Sequence, residues 1–184
     1  MKYSVGVFDY ENKKLGPLSA IAKVHKGDPY TDIIVCIVPR FNDKEFLSKL
    51  RFSSGHKYLN CDNGILAKGM FIIGNKIPAY LSSVATNPNG YQRMGLGKDF
   101  MEFCAMLIDE TTCPEIEAAL LTSGDFDSRL CFFQGLGFKT PEKVRMGDNL
   151  LTAFAKVEKL KSSNPFKFKL NKELSDKDFT SQSR

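Results

Sequence analysis

Apolar and polar positions along the chain alternate in some stretches and recur every three or four residues in others, and the two spacings divide it into strands and helices. Residues 2–9 read as a strand, and residues 17–26 as a short helix. After a G-D-P turn, T-D-I-I-V-C-I-V-P is dense in β-branched residues and predicts a buried strand. Asn42 is placed to cap a short amphipathic helix with Phe46, Leu47 and Leu50 on one face. H-K-Y-L-N-C alternates as a strand, D-N-G is a two-residue hairpin turn, and G-I-L-A-K-G-M-F-I-I is the returning strand. G-N-K closes a second hairpin onto I-P-A-Y-L-S-S-V-A-T, so three antiparallel strands lead into a glycine-rich turn. The next helix spans residues 95–110. Leu96, Phe100, Phe103, Cys104, Leu107 and Ile108 form its core face, while Lys98, Asp99, Glu102 and Asp109 are expected to face away. E-I-E-A-A-L-L-T reads as a strand, and residues 127–136 as a helix ended by Gly137. Two strands, near 143–146 and 151–157, flank a G-D-N turn. Beyond Lys159 apolar residues thin out, and residues 160–184 are expected to form a loose polar tail.

Composition narrows the function classes. A chain of 184 residues, 42% apolar and 26% charged, fits one domain over residues 1–159, with an atypical part at 1–55, followed by the tail. No stretch approaches the roughly 20 apolar residues of a membrane span, so no membrane partner is expected. Asp9, Glu11, Lys13 and Lys14 interrupt the start too early for a secretory signal. The five cysteines (Cys36, Cys61, Cys104, Cys113, Cys131) are odd in number and contain no C-x-x-C. With only His25 and His56 beside them no metal site is expected. Most of them read as reduced core residues, which points to the cytoplasm. The net charge of +5 is concentrated late: from Lys156 onward seven Lys and one Arg face two Glu and two Asp. This reads as a solvated tail. The alternative is a basic arm for nucleic acid or an acidic partner, with Phe166, Phe168 and Phe179 available for base stacking.

The chemistry concentrates at residues 84–97, V-A-T-N-P-N-G-Y-Q-R-M-G-L-G. Gly95 and Gly97 sit where a strand hands over to a helix. The first turn of a helix leaves N–H groups without partners, and its dipole adds partial positive charge, so an anion is favoured there. Glycines let the backbone approach the anion's oxygens, and Gln92, Arg93 and Lys98 could add donors and charge. A Rossmann site needs a third glycine where this chain has Phe100, and a parallel unit where it predicts hairpins. A P-loop needs G-K-[ST] four residues on, which is absent.

This segment resembles strand 4 and motif A of the GNAT acetyltransferase superfamily, whose pattern is V-x-x-P-x-[YF]-[RQ]-x-x-G-x-[GA]. Gln92, Gly95 and Gly97 fall on the [RQ]-x-x-G-x-G positions, and Pro88 and Tyr91 match with one extra residue between them. Downstream, C-F-F-Q-G-L-G-F resembles the family's motif B ending, with Gly137 and Phe138 in register. The resemblance covers residues 56–158, and the first fifty residues match poorly.

The resemblance implies an α/β, GNAT-like acyl-CoA N-acyltransferase fold: a mixed, largely antiparallel, twisted sheet flanked by helices. It implies acetyl transfer from acetyl-CoA to an amine acceptor, without a metal, in a family where dimers are common. Val84, Ala85 and Thr86 would lie on a splayed strand that pairs with pantetheine, and a backbone N–H there would polarise the thioester carbonyl. The diphosphate would sit on N–H groups from Gln92, Arg93, Met94, Gly95, Leu96, Gly97 and Lys98. Candidate bases are Asp125, Asp127 and Glu117. The family's usual general acid is a tyrosine five residues before the last Phe of motif B, and that position is Phe133, which has no proton to donate. Ser128 and Cys131 are nearby substitutes. The alternative is a member that binds an acyl-CoA without turnover.

Overall fold

The computed structural model describes residues 5–27, 29–39, 64–74, 78–86, 93–108, 113–122, 124–140 and 149–174. Five strands form a continuous antiparallel meander: β1 (Val5–Asn12), β2 (Gly16–Lys26), β3 (Tyr30–Pro39), β4 (Ala67–Gly74) and β5 (Ala79–Thr86). Helix α1 (Leu96–Leu107) then carries the chain over one face to β6 (Glu115–Leu121), which runs parallel to β5. Helix α2 (Phe126–Gly135) and strand β7 (Leu150–Lys156) follow, with β7 antiparallel to β6. The one-turn α3 (Val157–Leu160) turns the chain back toward β8 (Lys169–Leu174), which pairs with β1. The eight strands lie in the order β7-β6-β5-β4-β3-β2-β1-β8. This is the expected mixed, largely antiparallel sheet with helices packed on it.

The core lies between the sheet and α1. Phe8, Ala20, Val35, Phe71 and Leu81 from the strands meet Leu96, Phe100, Phe103, Cys104 and Leu107 from the helix. Gly69 is the floor beneath Phe100: a Cβ there would lie 2.4 Å from the ring and 2.5 Å from the Ser83 carbonyl oxygen. Only a bare backbone lets α1 approach β4 this closely. Helix α2 ends as its sequence suggests. Gly137 has φ 91°, its N–H donates to the Gln134 carbonyl, and the Phe138 N–H donates to the Phe133 carbonyl, the paired bonds of a Schellman cap.

Three expectations change. Residues 17–26 are a strand, not a helix. Leu18 to Ala22 are buried on both faces of a central strand, and such strands read as continuous apolar runs rather than alternating ones. Asp99 and Glu102 do not face away, because the C-terminal segment covers that side of α1 and buries both to 7% and 9% exposure. The same segment is not loose: residues 169–174 form β8 on the edge of β1, and Phe168 packs against Tyr10 and Phe103 at 5.0 Å between ring centroids. Of the cysteines, Cys36, Cys104 and Cys113 are buried as expected, whereas Cys131 is exposed. The helix at Asn42, the strand H-K-Y-L-N-C, the strand at 143–146, Cys61 and residues 175–184 lie outside the described residues.

Candidate active site

β5 begins as an ordinary interior strand and then parts from one neighbour. Its parallel pairing with β6 covers Ala79–Leu81 opposite Ile116–Ala118 and stops there, while its pairing with β4 runs on to Thr86. β6 likewise continues with β7 alone, as far as Leu121 opposite Leu150. The parting coincides with a β-bulge, since Met70 faces Ser83 and Phe71 faces Leu81, leaving Ser82 as the extra residue. A bulge twists and bends its strand, which suffices to turn β5 away from β6. The result is a wedge between two parallel strands, open at their C-terminal ends. Val84, Ala85 and Thr86, expected on a splayed strand, form one wall and are half-buried.

The start of α1 lies at the same end of the sheet. Gly95 is the N-cap residue with φ 82° and ψ 0°, no side chain caps the helix, and the first intrahelical bond is from the Asp99 N–H to the Gly95 carbonyl. Arg93 also has a positive φ, 60°, uncommon for a residue with a side chain. The carbonyls of this turn are held from one side by the β1–β2 hairpin: Lys14 Nζ donates to the Arg93 oxygen at 2.9 Å, and Asn12 Nδ2 to the Met94 oxygen at 3.1 Å. A trans peptide plane points its N–H opposite to its C=O. The Met94 and Gly95 N–H groups therefore point away from the hairpin. Leu96, Gly97 and Lys98 add the N–H groups of the first helical turn. Lys98 and Arg93 are exposed beside them. Gln92 lies outside the described residues. Gly97 has a second role: a Cβ there would lie 2.8 Å from the Phe132 ring, so α2 leans on the start of α1.

The candidate bases are not brought together. Asp125, the N-cap residue of α2, and Asp127 in its first turn are exposed beyond the end of β6. Glu117 is half-buried at the root of the wedge, paired with Tyr80 and Phe154, on the opposite face from Ile116 and Ala118. Four residues of strand, about 13 Å, separate it from the end of β6. Phe133 is 5% exposed, edge-on to Phe138 at 5.0 Å and to Phe132 at 5.2 Å, and serves the core. Ser128 and Cys131 are exposed on α2.

Behind the glycine turn lies a buried charge cluster absent from the sequence reading. Lys167 Nζ contacts Asp99 Oδ1 and Glu102 Oε2, each at 2.5 Å, and lies over the rings of Tyr10 and Phe168. Burial works against the Lys167 charge, but the two carboxylates outweigh it and its pKa ends above the ordinary lysine value. Burial, above all, also raises the Tyr10 pKa, and Asp99 and Glu102 push the same way. Both groups hold their protons to higher pH folded than unfolded, so their stabilisation is complete below about pH 10 and is lost above it. Melting temperatures should accordingly hold level up to about pH 10 and fall beyond it. Tyr10→Phe should make that fall shallower, and an identical fall in the variant would contradict the assignment to Tyr10.

A cavity of about 340 Å³ opens beside Tyr10 and Phe166, at the β1 edge and away from the wedge. Among the described residues no cluster of His, Cys, Asp and Glu could hold a metal ion, and no helix is long and apolar enough to cross a membrane.

No family model and no curated protein matches the chain. Among solved structures it is similar to the ribosomal-protein-S18-alanine N-acetyltransferase from Escherichia coli, at 13% identity and a TM-score of 0.44, covering 76% of this chain and 74% of that one. It is also similar to a Sphaerobacter thermophilus protein assigned as an acetyltransferase, at 16% identity and a TM-score of 0.41, covering 71% of this chain and 68% of that one.

Proposed function

We propose that the chain is a GNAT-type N-acetyltransferase that binds acetyl-CoA in the wedge and transfers its acetyl group to an amine. The observation that supports this most is the parting of β5 from β6 at Leu81, with the uncapped start of α1 at the same end of the sheet. The residues fit the cosubstrate. An extended pantetheine arm needs a strand edge with backbone groups on offer, and the wall formed by Val84, Ala85 and Thr86 is such an edge. A diphosphate needs converging N–H donors, and Met94, Gly95, Leu96, Gly97 and Lys98 supply them in a turn whose carbonyls are drawn the other way. A thioester carbonyl beside the β5 backbone would be polarised by an N–H there. The amine's proton would pass to solvent or to a carboxylate, for which Asp125, Asp127 and Glu117 are the candidates. The acceptor is an amine of unassigned class, and a cytoplasmic location fits the reduced cysteines.

The test begins with binding. Coenzyme A should protect the protein against thermal unfolding and pantetheine much less, because the diphosphate supplies most of the charge recognition. Gly95→Asp places a carboxylate in the cradle and should weaken coenzyme A binding about a hundredfold, roughly 2.7 kcal/mol. Circular dichroism would check that this variant is folded. Unchanged affinity in a folded Gly95→Asp protein would sink the assignment. Gly97 is the poorer probe, because any side chain there also displaces Phe132.

Phe133 favours a second reading, in which the protein binds an acyl-CoA and does not turn it over. Its ring is buried in the core and leaves no donor at the position of the family's tyrosine. Labelled acetyl-CoA incubated with a panel of amines and peptides separates the two: tight binding with no transfer beyond solvent hydrolysis supports this reading, and acetylated product supports the first.

A further inference from the structure

We propose that Asn12 is a positioning residue for the diphosphate cradle, turning the Gly95 N–H toward the ligand by holding the Met94 carbonyl from behind. The inference rests on the coenzyme A reading above and adds to it a residue that lies 82 positions before the turn.

Asn12 is 4% exposed, and its carboxamide uses its full hydrogen-bonding capacity of two donors and two acceptor pairs. Its Oδ1 accepts from the Lys14 and Leu15 N–H groups, both at 2.9 Å, which shapes the tip of the β1–β2 hairpin. Its Nδ2 donates to the Met94 carbonyl at 3.1 Å and to Asp99 Oδ2 at 2.6 Å. The orientation of the amide is forced. Reversed, it would set its NH2 against two N–H donors and its oxygen against a carbonyl and a carboxylate.

The Met94 carbonyl belongs to the same peptide plane as the Gly95 N–H, so fixing the first aims the second the opposite way. Asn12 is itself fixed. Asp99 presents one oxygen to it and the other to Lys167, which also holds Glu102. A continuous set of contacts therefore runs from the C-terminal segment through α1 and the hairpin to the turn that carries the cradle. Lys14 assists from an exposed position by holding the Arg93 carbonyl. Both contacts grip a turn in which Arg93 has a positive φ.

The test separates the hairpin side of Asn12 from the cradle side. Asn12→Asp is nearly isosteric and keeps an oxygen for the Lys14 and Leu15 N–H groups, but it turns an oxygen toward Met94 and Asp99 in place of the donor. Adding Asp99→Asn restores a donor across the 12–99 contact while the Met94 carbonyl still faces a carboxylate. Melting temperature and the calorimetric affinity for coenzyme A are measured for wild type, the single and the double variant. The expected result is that Asn12→Asp lowers both, with affinity falling about tenfold or more. The double variant should regain the melting temperature and not the affinity. Wild-type affinity in either variant overturns the inference and reduces Asn12 to a hairpin residue. Should Asn12→Asp fail to fold, the double variant decides alone. Wild-type protein that does not bind coenzyme A removes the underlying reading instead, which keeps the two failures distinct.

Discussion

Gly69→Val is expected to cost the protein more than about 3 kcal/mol and, under the proposed function, to abolish coenzyme A binding with it. The first atom of any side chain at this position would sit 2.4 Å from the Phe100 ring and 2.5 Å from the Ser83 carbonyl oxygen. Phe100 is fully buried and cannot swing out. Ser83 is worse, because its carbonyl is part of the β5 backbone, next to the bulge at Ser82 that separates β5 from β6. Relief requires α1 to lift from the sheet or β5 to shift on β4, and either disturbs the wall that begins at Val84. Gly135→Ala provides the opposite sign. Nothing lies within 4 Å of a Cβ there, and it is in a helix, so a gain of about 0.5–1 kcal/mol is expected. Urea unfolding of both variants measures the difference. Phe100→Leu added to Gly69→Ala should recover part of the loss, since it shortens the group that the new Cβ meets.

Lys167→Met should be nearly as damaging, by about 3–5 kcal/mol, or on the order of 10 °C in melting temperature for a chain of this size. Methionine keeps the stem that lies along Tyr10 and Phe168, so the loss isolates the charge. What remains is two buried carboxylates, Asp99 and Glu102, with the exposed Lys98 3.8 Å from Glu102. Adding Asp99→Asn and Glu102→Gln to Lys167→Met removes the stranded charges and should restore most of the stability. A melting temperature as low in this triple variant as in Lys167→Met would show that Lys167 acts through packing and not through charge.

The parts legible in the sequence were those written in local spacing. The strands β3, β4 and β5, the core face of α1 and the end of α2 at Gly137 each follow from residues within a turn or a strand of one another. β2 was misread because a strand buried on both faces has no alternation to display. Asp99 and Glu102 were misread because the sequence shows which face of a helix is apolar but not whether a distant segment will cover the other. Their partner lies 68 and 65 residues away. For Asn12 a signal existed: an Asn ahead of K-K-L-G is a turn former whose oxygen can bond its own hairpin. Its other two partners, Met94 and Asp99, lie 82 and 87 residues away and no spacing points to them. Phe133 was legible as an absence of chemistry, and the structure adds that its ring is part of the core.

The strand that closes the sheet over β1 is synthesised long after it. β1 pairs on one side with β2, which emerges from the ribosome directly after it, and on the other with β8, for which it must wait. Until Lys167 is made, Asp99 and Glu102 lack the lysine that contacts both of them in the folded protein. At about 5–20 residues per second the 65 residues from Glu102 to Lys167 take roughly three to thirteen seconds. During that time the nascent chain can hold its meander and its first helix, but the face of α1 that bears the two carboxylates must stay wet. A translation product cut short before Lys167 would keep Asn12 and Lys14 beside the glycine turn but would lack the Lys167 contact to Asp99, the residue against which Asn12 is braced.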